Sequence, residues 1–146
     1  MDVKKINDEI SVGPQISEEH VRKLRELGFK TIICNRPDGE SGDQPDFQLI
    51  MNAAAKAGLD AHHLPVVPGG ITEHDIHAFS LALAEFPGPV FAYCRTGTRA
   101  AALWALTQAG SGADIEALLH DTSKAGCDLS AMRPLLEATA KDAVRR

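Results

Sequence analysis

The chain has 146 residues, 44% hydrophobic and 24% charged, which is enough to bury one core but not two. A formal charge of -5 argues against a general nucleic-acid or anionic-membrane binder and leaves room for a local basic pocket. No apolar run nears the roughly 18 residues of a membrane span, and Met1–Glu9 lacks the apolar stretch of a signal peptide.

The three cysteines, Cys34, Cys94 and Cys127, have no metal-ligand spacing and cannot form a complete disulfide framework. That usage fits a reducing compartment, so the cytoplasm is expected, with no membrane or nucleic-acid partner. Without repeats or long linkers, residues 1–146 are expected to form a single domain.

Ile6–Val12 is expected to add an edge strand or small hairpin. Ser17 before Glu18 and Glu19 opens a helix carrying Val21, Leu24 and Leu27 on one face and stopping at Gly28. Lys30–Cys34 is a short buried strand, and Asn35–Pro45 is too rich in Pro, Gly and Asp to be regular. A helix follows from about Asp46 to Ala57, then a strand over Leu59–Val66. Thr72 to Asp75 resembles a capping box that opens a helix along Ile76, Phe79 and Leu83, which Pro87-Gly88-Pro89 ends. Val90–Tyr93 is an apolar strand, Arg99–Ala109 a strong helix, and two further helices near Asp114–His120 and Ser130–Val144 close the chain. Lys141–Arg146 is expected to be a frayed, solvated end. Alternating strands and helices predict an α/β, three-layer protein: a mostly parallel central sheet flanked by helices, with its site where strands end and helices begin.

Cys94 stands at that position. A strand ending in cysteine and passing through Arg95-Thr96-Gly97-Thr98 into a helix at Arg99 brings backbone N–H groups toward one point. With the positive end of the helix dipole, these groups make an anion site that favours the thiolate, the nucleophilic form of Cys94. Gly97 permits a positive φ or a close backbone approach, and Arg99 offers a planar fork to an oxyanion. Arg95 adds positive charge. The competing reading, a buried cysteine that ends a core strand by chance, does not explain Gly97 and Arg99 at these offsets.

Tyr93-Cys94-Arg95-Thr96-Gly97-Thr98-Arg99 resembles the active-site loop that rhodaneses share in general form with Cys-dependent phosphatases. The wider pattern is similar to the bacterial β-lactamase-hydrolase-like protein, phosphatase-like domain family, also described as sulfurtransferases. It is carried by Gly13-Pro14-Gln15, by Gly28 to Glu40, and by Gly88-Pro89-Val90-Phe91-Ala92 leading into the loop. The resemblance implies a dual-specificity-phosphatase-like fold.

The family's two descriptions disagree about the reaction. Tyrosine phosphatases carry His-Cys-x5-Arg followed by Ser or Thr. Here the spacing is Cys-x4-Arg, Tyr93 replaces the histidine, and Ala100 lacks the hydroxyl that would help the thiolate leave. The loop Pro65–Ile71 also lacks the acid that an alcohol leaving group needs. Asp75 and Glu73 read first as helix-start residues, and Asp38, Glu40 and Asp43 as solvated loop carboxylates. Because Cys-Arg-x-Gly-x-Arg resembles many single-domain rhodaneses, the leading expectation is a sulfurtransferase carrying a persulfide on Cys94. A phosphatase working through a phosphocysteine is the alternative, and an anion-binding module without catalysis the third.

The substrate is then a small anion, either thiosulfate or a persulfide, or a phosphate ester, and no cofactor is expected. The resemblance also suggests a separate persulfide-handling enzyme as a partner, since relatives occur fused to metallo-β-lactamase-like domains. Arg36 could be a second anion contact or a loop-bracing ion pair. Cys34, expected on the same sheet face as Cys94, is a possible redox partner by resemblance or else a small buried residue. Cys127 reads as incidental. His74 and His77 lack the further ligands of a metal site.

Overall fold

The computed structural model describes residues 1–144. Five strands form one sheet in the order β1-β2-β5-β3-β4. The edge strand β1 (Lys4–Lys5) is antiparallel to β2 (Ile10–Gly13). The hairpin expected near Ile6 is therefore present, but its second strand lies inside the sheet. From β2 inward, β5 (Val90–Tyr93), β3 (Thr31–Cys34) and β4 (Asp60–His63) all run parallel. In β2, β3 and β5 every residue is buried, as expected of parallel strands covered on both faces. The expected strand over Leu59–Val66 shortens to Asp60–His63, because beyond His63 the chain leaves the ladder. There the amides of Leu64 and Val66 bond the carbonyls of Cys34 and Asn35.

Helices α1 (Glu18–Glu26) and α2 (Phe47–Ala57) cover one face of the sheet, where Ile32, Cys34, Phe91 and Tyr93 meet Leu24 and Ile50. The other face carries α3 (Glu73–Glu85), α4 (Thr98–Gly110), α5 (Ile115–Lys124) and α6 (Arg133–Val144), the last preceded by a 3-10 turn at Ser130–Met132. Residues Ala100 to Thr107 of α4 are all buried, so this helix is apolar all round and serves as the hub of its layer. The expected frayed end is helical through Val144, and its last residues lie outside the described ones.

The capping signals have mixed outcomes. Thr72 and Asp75 form the expected reciprocal box at the start of α3. At α2, the Phe47 amide donates to Asp38 Oδ1 at 2.9 Å, so the cap comes from the preceding loop and not from the Asp46 side chain. Cys34 pairs in register with Tyr93 and packs on the α1–α2 face, whereas Cys94, one residue further, belongs to the opposite cluster. This corrects the expectation of a shared face. Side chains alternate along a strand, and the register sets Cys34 beside Tyr93. Cys127, read as incidental, is buried in the same cluster as Cys94.

Candidate active site

Because Gly13, Tyr93, Cys34 and His63 are aligned in register, the residues after them gather at one end of the sheet. Cys94 is buried there, and its amide donates to the Gly13 carbonyl at 3.3 Å. The loop turns through Gly97, at φ +101°, ψ −21°, which is the N-cap of α4. A side chain at Gly97 would be strained by that φ, and its Cβ would lie 3.3 Å from the Gly13 backbone. Gly13 is equally constrained, since a Cβ there would fall 2.6 Å from the Asp2 carbonyl and 2.7 Å from the Phe91 ring. Gly97 lets the loop sit directly on the end of β2, and Gly13 leaves room for the Asp2 carbonyl and the Phe91 ring.

The loop turns its carbonyls outward. The Arg95 carbonyl accepts from the Gln15 amide at 3.4 Å, and the Thr96 carbonyl accepts from Lys4 Nζ at 3.2 Å. The C=O and N–H of a trans peptide point in opposite directions, so the N–H groups of Thr96 and Gly97 face the other way. Gly97 N–H donates to Cys94 Sγ at 3.1 Å. The first turn of α4 adjoins this pair, and its Thr98 N–H donates to Thr96 Oγ1 at 3.5 Å. Arg95 lies exposed on the rim.

Arg99 extends across a carboxylate. Its Nη1 donates to Glu40 Oε2 at 2.8 Å and to the Val66 carbonyl at 3.0 Å, while Nη2 reaches Glu40 Oε1 at 3.2 Å. Glu40 Oε1 also accepts from Arg36 Nε at 3.0 Å, and Arg36 Nη1 donates to Gln15 Oε1 at 3.1 Å. Arg99 first, and Arg36 after it, hold the Glu40 carboxyl below the usual glutamate range against the opposing effect of burial. Arg36 thus has the geometry of a brace between Gln15 and Glu40. Its carbonyl accepts from the Cys34 thiol at 3.3 Å and lies 2.8 Å from His63 Nε2. Burial pushes the thiols of Cys34 and Cys127 up, and also pushes the Tyr93 phenol well above its ordinary value.

The remaining carboxylates near this end are engaged elsewhere. Asp38 caps α2, Asp75 accepts from the Thr72 amide, and Asp43 accepts from the Ser41 hydroxyl, which holds its carboxyl below the usual range. Glu73 lines a groove with His77, Ser80 and Thr107 between α3 and α4. The loop Pro65–Ile71 contributes the Val66 carbonyl to Arg99. Sequence reasoning missed Lys4 and did not see that Glu40 joins two arginines. For Gln15, the Gly13-Pro14-Gln15 stretch was a signal, but it named no contact.

Residues 2–111 match the family described as Beta-lactamase hydrolase-like protein, phosphatase-like domain. The chain belongs to this family. It is 40% identical over 138 residues to the Beta-lactamase hydrolase-like protein of Agrobacterium fabrum, covering 94% of this chain and 32% of that one. With the Xylella fastidiosa (strain Temecula1) protein of the same name it shares 36% identity over 124 residues, covering 82% and 29%. The chain therefore spans about a third of the length of these relatives.

Among solved structures, nma1982 of Neisseria meningitidis, provisionally named a phosphatase, superposes with a TM-score of 0.86 at 36% identity, covering 95% of this chain and 99% of that one. PTPMT1 in complex with PI(5)P gives 0.79 at 15% identity, covering 100% and 99%, a likeness of fold alone. The family is thus a Cys-based, phosphatase-like one with a dual-specificity-phosphatase-like fold. These likenesses favour the phosphatase alternative over the sulfurtransferase that the loop spacing put first. Among the described residues, no helix is long and apolar enough to cross a membrane.

Proposed function

We propose that this domain is a Cys-dependent phosphatase that cleaves phosphate monoesters through a phosphocysteine on Cys94. The likeness to phosphatase-like relatives supports this reading over sulfur transfer, and the loop geometry suits it: Cys94 Sγ accepts the Gly97 N–H at 3.1 Å while the carbonyls of Arg95 and Thr96 are tied outward. A dianionic phosphoryl group seated there meets amide donors and lies in front of the sulfur. The Cys94 thiolate attacks phosphorus, the P–O bond to the leaving group breaks, and that oxygen departs with the electron pair. Water then attacks the phosphocysteine, the P–S bond breaks, and thiolate and inorganic phosphate are released. Arg99 exchanges Glu40 for a phosphoryl oxygen, and Arg36 keeps Glu40 placed when it does. Arg95, Thr96, Gly97 and Thr98 supply the cradle.

Sulfur transfer is the second reading, favoured by the four-residue spacing from Cys94 to Arg99 and by Ala100 in place of a hydroxyl. There Cys94 would carry the outer sulfur of thiosulfate, with sulfite leaving unassisted, and a persulfide-handling enzyme would be the partner.

Since the nearby carboxylates are already engaged, the fitting probe is an aryl phosphate, whose leaving group departs without a proton. The expected result is hydrolysis of 4-nitrophenyl phosphate that falls by about a thousandfold or more in Cys94→Ser. An inert enzyme that forms a Cys94 persulfide from thiosulfate would replace this reading with the second one.

A further inference from the structure

The Thr96–Gly97 peptide is the one whose N–H meets the sulfur, and it has little of its own to hold it. Rotating a peptide changes ψ of the residue before it and φ of the residue after it. When the second residue is glycine, no Cβ resists that rotation. Gly97 has no side chain to anchor, and the Gly13 backbone against it contributes none either. The preceding Arg95 carbonyl is latched by main chain, through the Gln15 amide. The Thr96 carbonyl is held differently, by the ammonium of Lys4 at 3.2 Å, from a residue 92 positions away on the edge strand.

We infer that Lys4 is a positioning residue for the anion cradle: by holding the Thr96 carbonyl outward it keeps the Gly97 N–H on Cys94 Sγ. The two bonds belong to opposite sides of one rigid peptide plane, so neither survives a flip of the other. A flipped peptide would remove one donor from the cradle and turn a carbonyl oxygen toward the thiolate and the incoming anion. Asp2 Oδ2 lies 3.9 Å from the same ammonium and offsets part of its charge. Lys4 belongs to neither core cluster, so its replacement spares the core. The inference rests on the reading of the loop as an oxyanion site, and its test separates the two.

Thr96–Gly97 is the only Thr-Gly step in the chain. Carbonyl-13C threonine combined with 15N-glycine therefore isolates this single amide in an NMR spectrum of the whole protein. Lys4→Met is expected to move that resonance and to weaken binding of inorganic phosphate about tenfold, the scale of one hydrogen bond to a charged group. Lys4→Arg, which keeps charge and donor, restores both. An unmoved amide in Lys4→Met overturns the inference, and if phosphate binding falls all the same, Lys4 acts through charge alone. A shifted amide with unchanged phosphate affinity overturns it too, since the lock would then not serve the cradle. If the native protein binds no phosphate, the proposed function fails, and the amide alone decides for or against Lys4 as the lock.

Discussion

Glu40 faces Arg99 with both carboxylate oxygens, Oε2 to Nη1 at 2.8 Å and Oε1 to Nη2 at 3.2 Å, the fork geometry that a phosphoryl oxygen pair would take. On the proposed phosphatase reading, an incoming anion competes with Glu40 for the same guanidinium. Glu40→Gln removes the competing charge while keeping an oxygen for Arg36. Phosphate affinity is expected to rise by about three- to tenfold, measured by calorimetry, the scale of one partly exposed ion pair. Stability is expected to fall by about 1–3 kcal/mol in denaturant melts, because the Arg36 side chain is only 6% exposed and loses its counter-ion. Unchanged affinity would mean that Arg99 is not the arm that receives the anion.

The same pairing sets a pH dependence. The Glu40 carboxyl is held below its ordinary value of 4.5, chiefly by Arg99, so the folded state favours its ionised form. Its contribution to stability is complete above about pH 4.5 and is lost as pH falls through the lowered value. Between neutral pH and about 4.5 the bridge is constant. Urea melts of the native protein and of Glu40→Gln should therefore keep a constant gap down to about pH 4.5 and converge below it. Convergence well above that value would place the titrating group elsewhere.

Gly97 and Gly28 both have positive φ, at +101° and +97°, but only Gly97 touches the cradle. Each change to alanine is expected to cost about 1–2 kcal/mol for the left-handed backbone. Gly97→Ala should also lose phosphate binding, because its Cβ presses the Gly13 backbone that seats the loop. Gly28→Ala, with nothing near its Cβ, should bind phosphate normally. Equal effects on binding would show that the loss comes from global destabilisation.

What was legible in the sequence was local. The apolar strand Val90–Tyr93, the cysteine, the glycine at its tight turn and the following helix lie within about twenty consecutive residues, and each is specified by its neighbours. Contacts made by register were not legible. Lys4 reaches Thr96 only because β1 and β2 pair beside β5, and a link across 92 positions leaves no periodic trace. Three loop carboxylates, Asp38, Glu40 and Asp43, looked alike in sequence, and the path of the 35–45 loop separates a helix cap, an arginine bridge and a hydroxyl partner. The order of the two reactions changes for a related reason, since the likenesses favour the phosphatase alternative over the sulfurtransferase. Spacing and composition weigh the loop alone, whereas the likeness to phosphatases extends over most of the chain.

The three thiols should differ in reactivity because they differ in surroundings. Burial pushes Cys34 and Cys127 up, which leaves both as neutral thiols at pH 7, and Cys34 is further engaged as a donor to the Arg36 carbonyl. Cys94 is buried too, but its Sγ accepts the Gly97 N–H at the start of α4. Limited iodoacetamide at pH 7, mapped by mass spectrometry, is expected to label Cys94 at least tenfold faster than either of the others. Mild peroxide extends the test to the redox role that resemblance suggested for Cys34. That thiol lies on the α1–α2 face, so a bond to Cys94 requires it to leave Arg36 and cross the end of the sheet. The expected product is oxidised Cys94 with Cys34 free. A peptide joining Cys34 to Cys94 would show that this strand end opens readily and would restore the protective pairing.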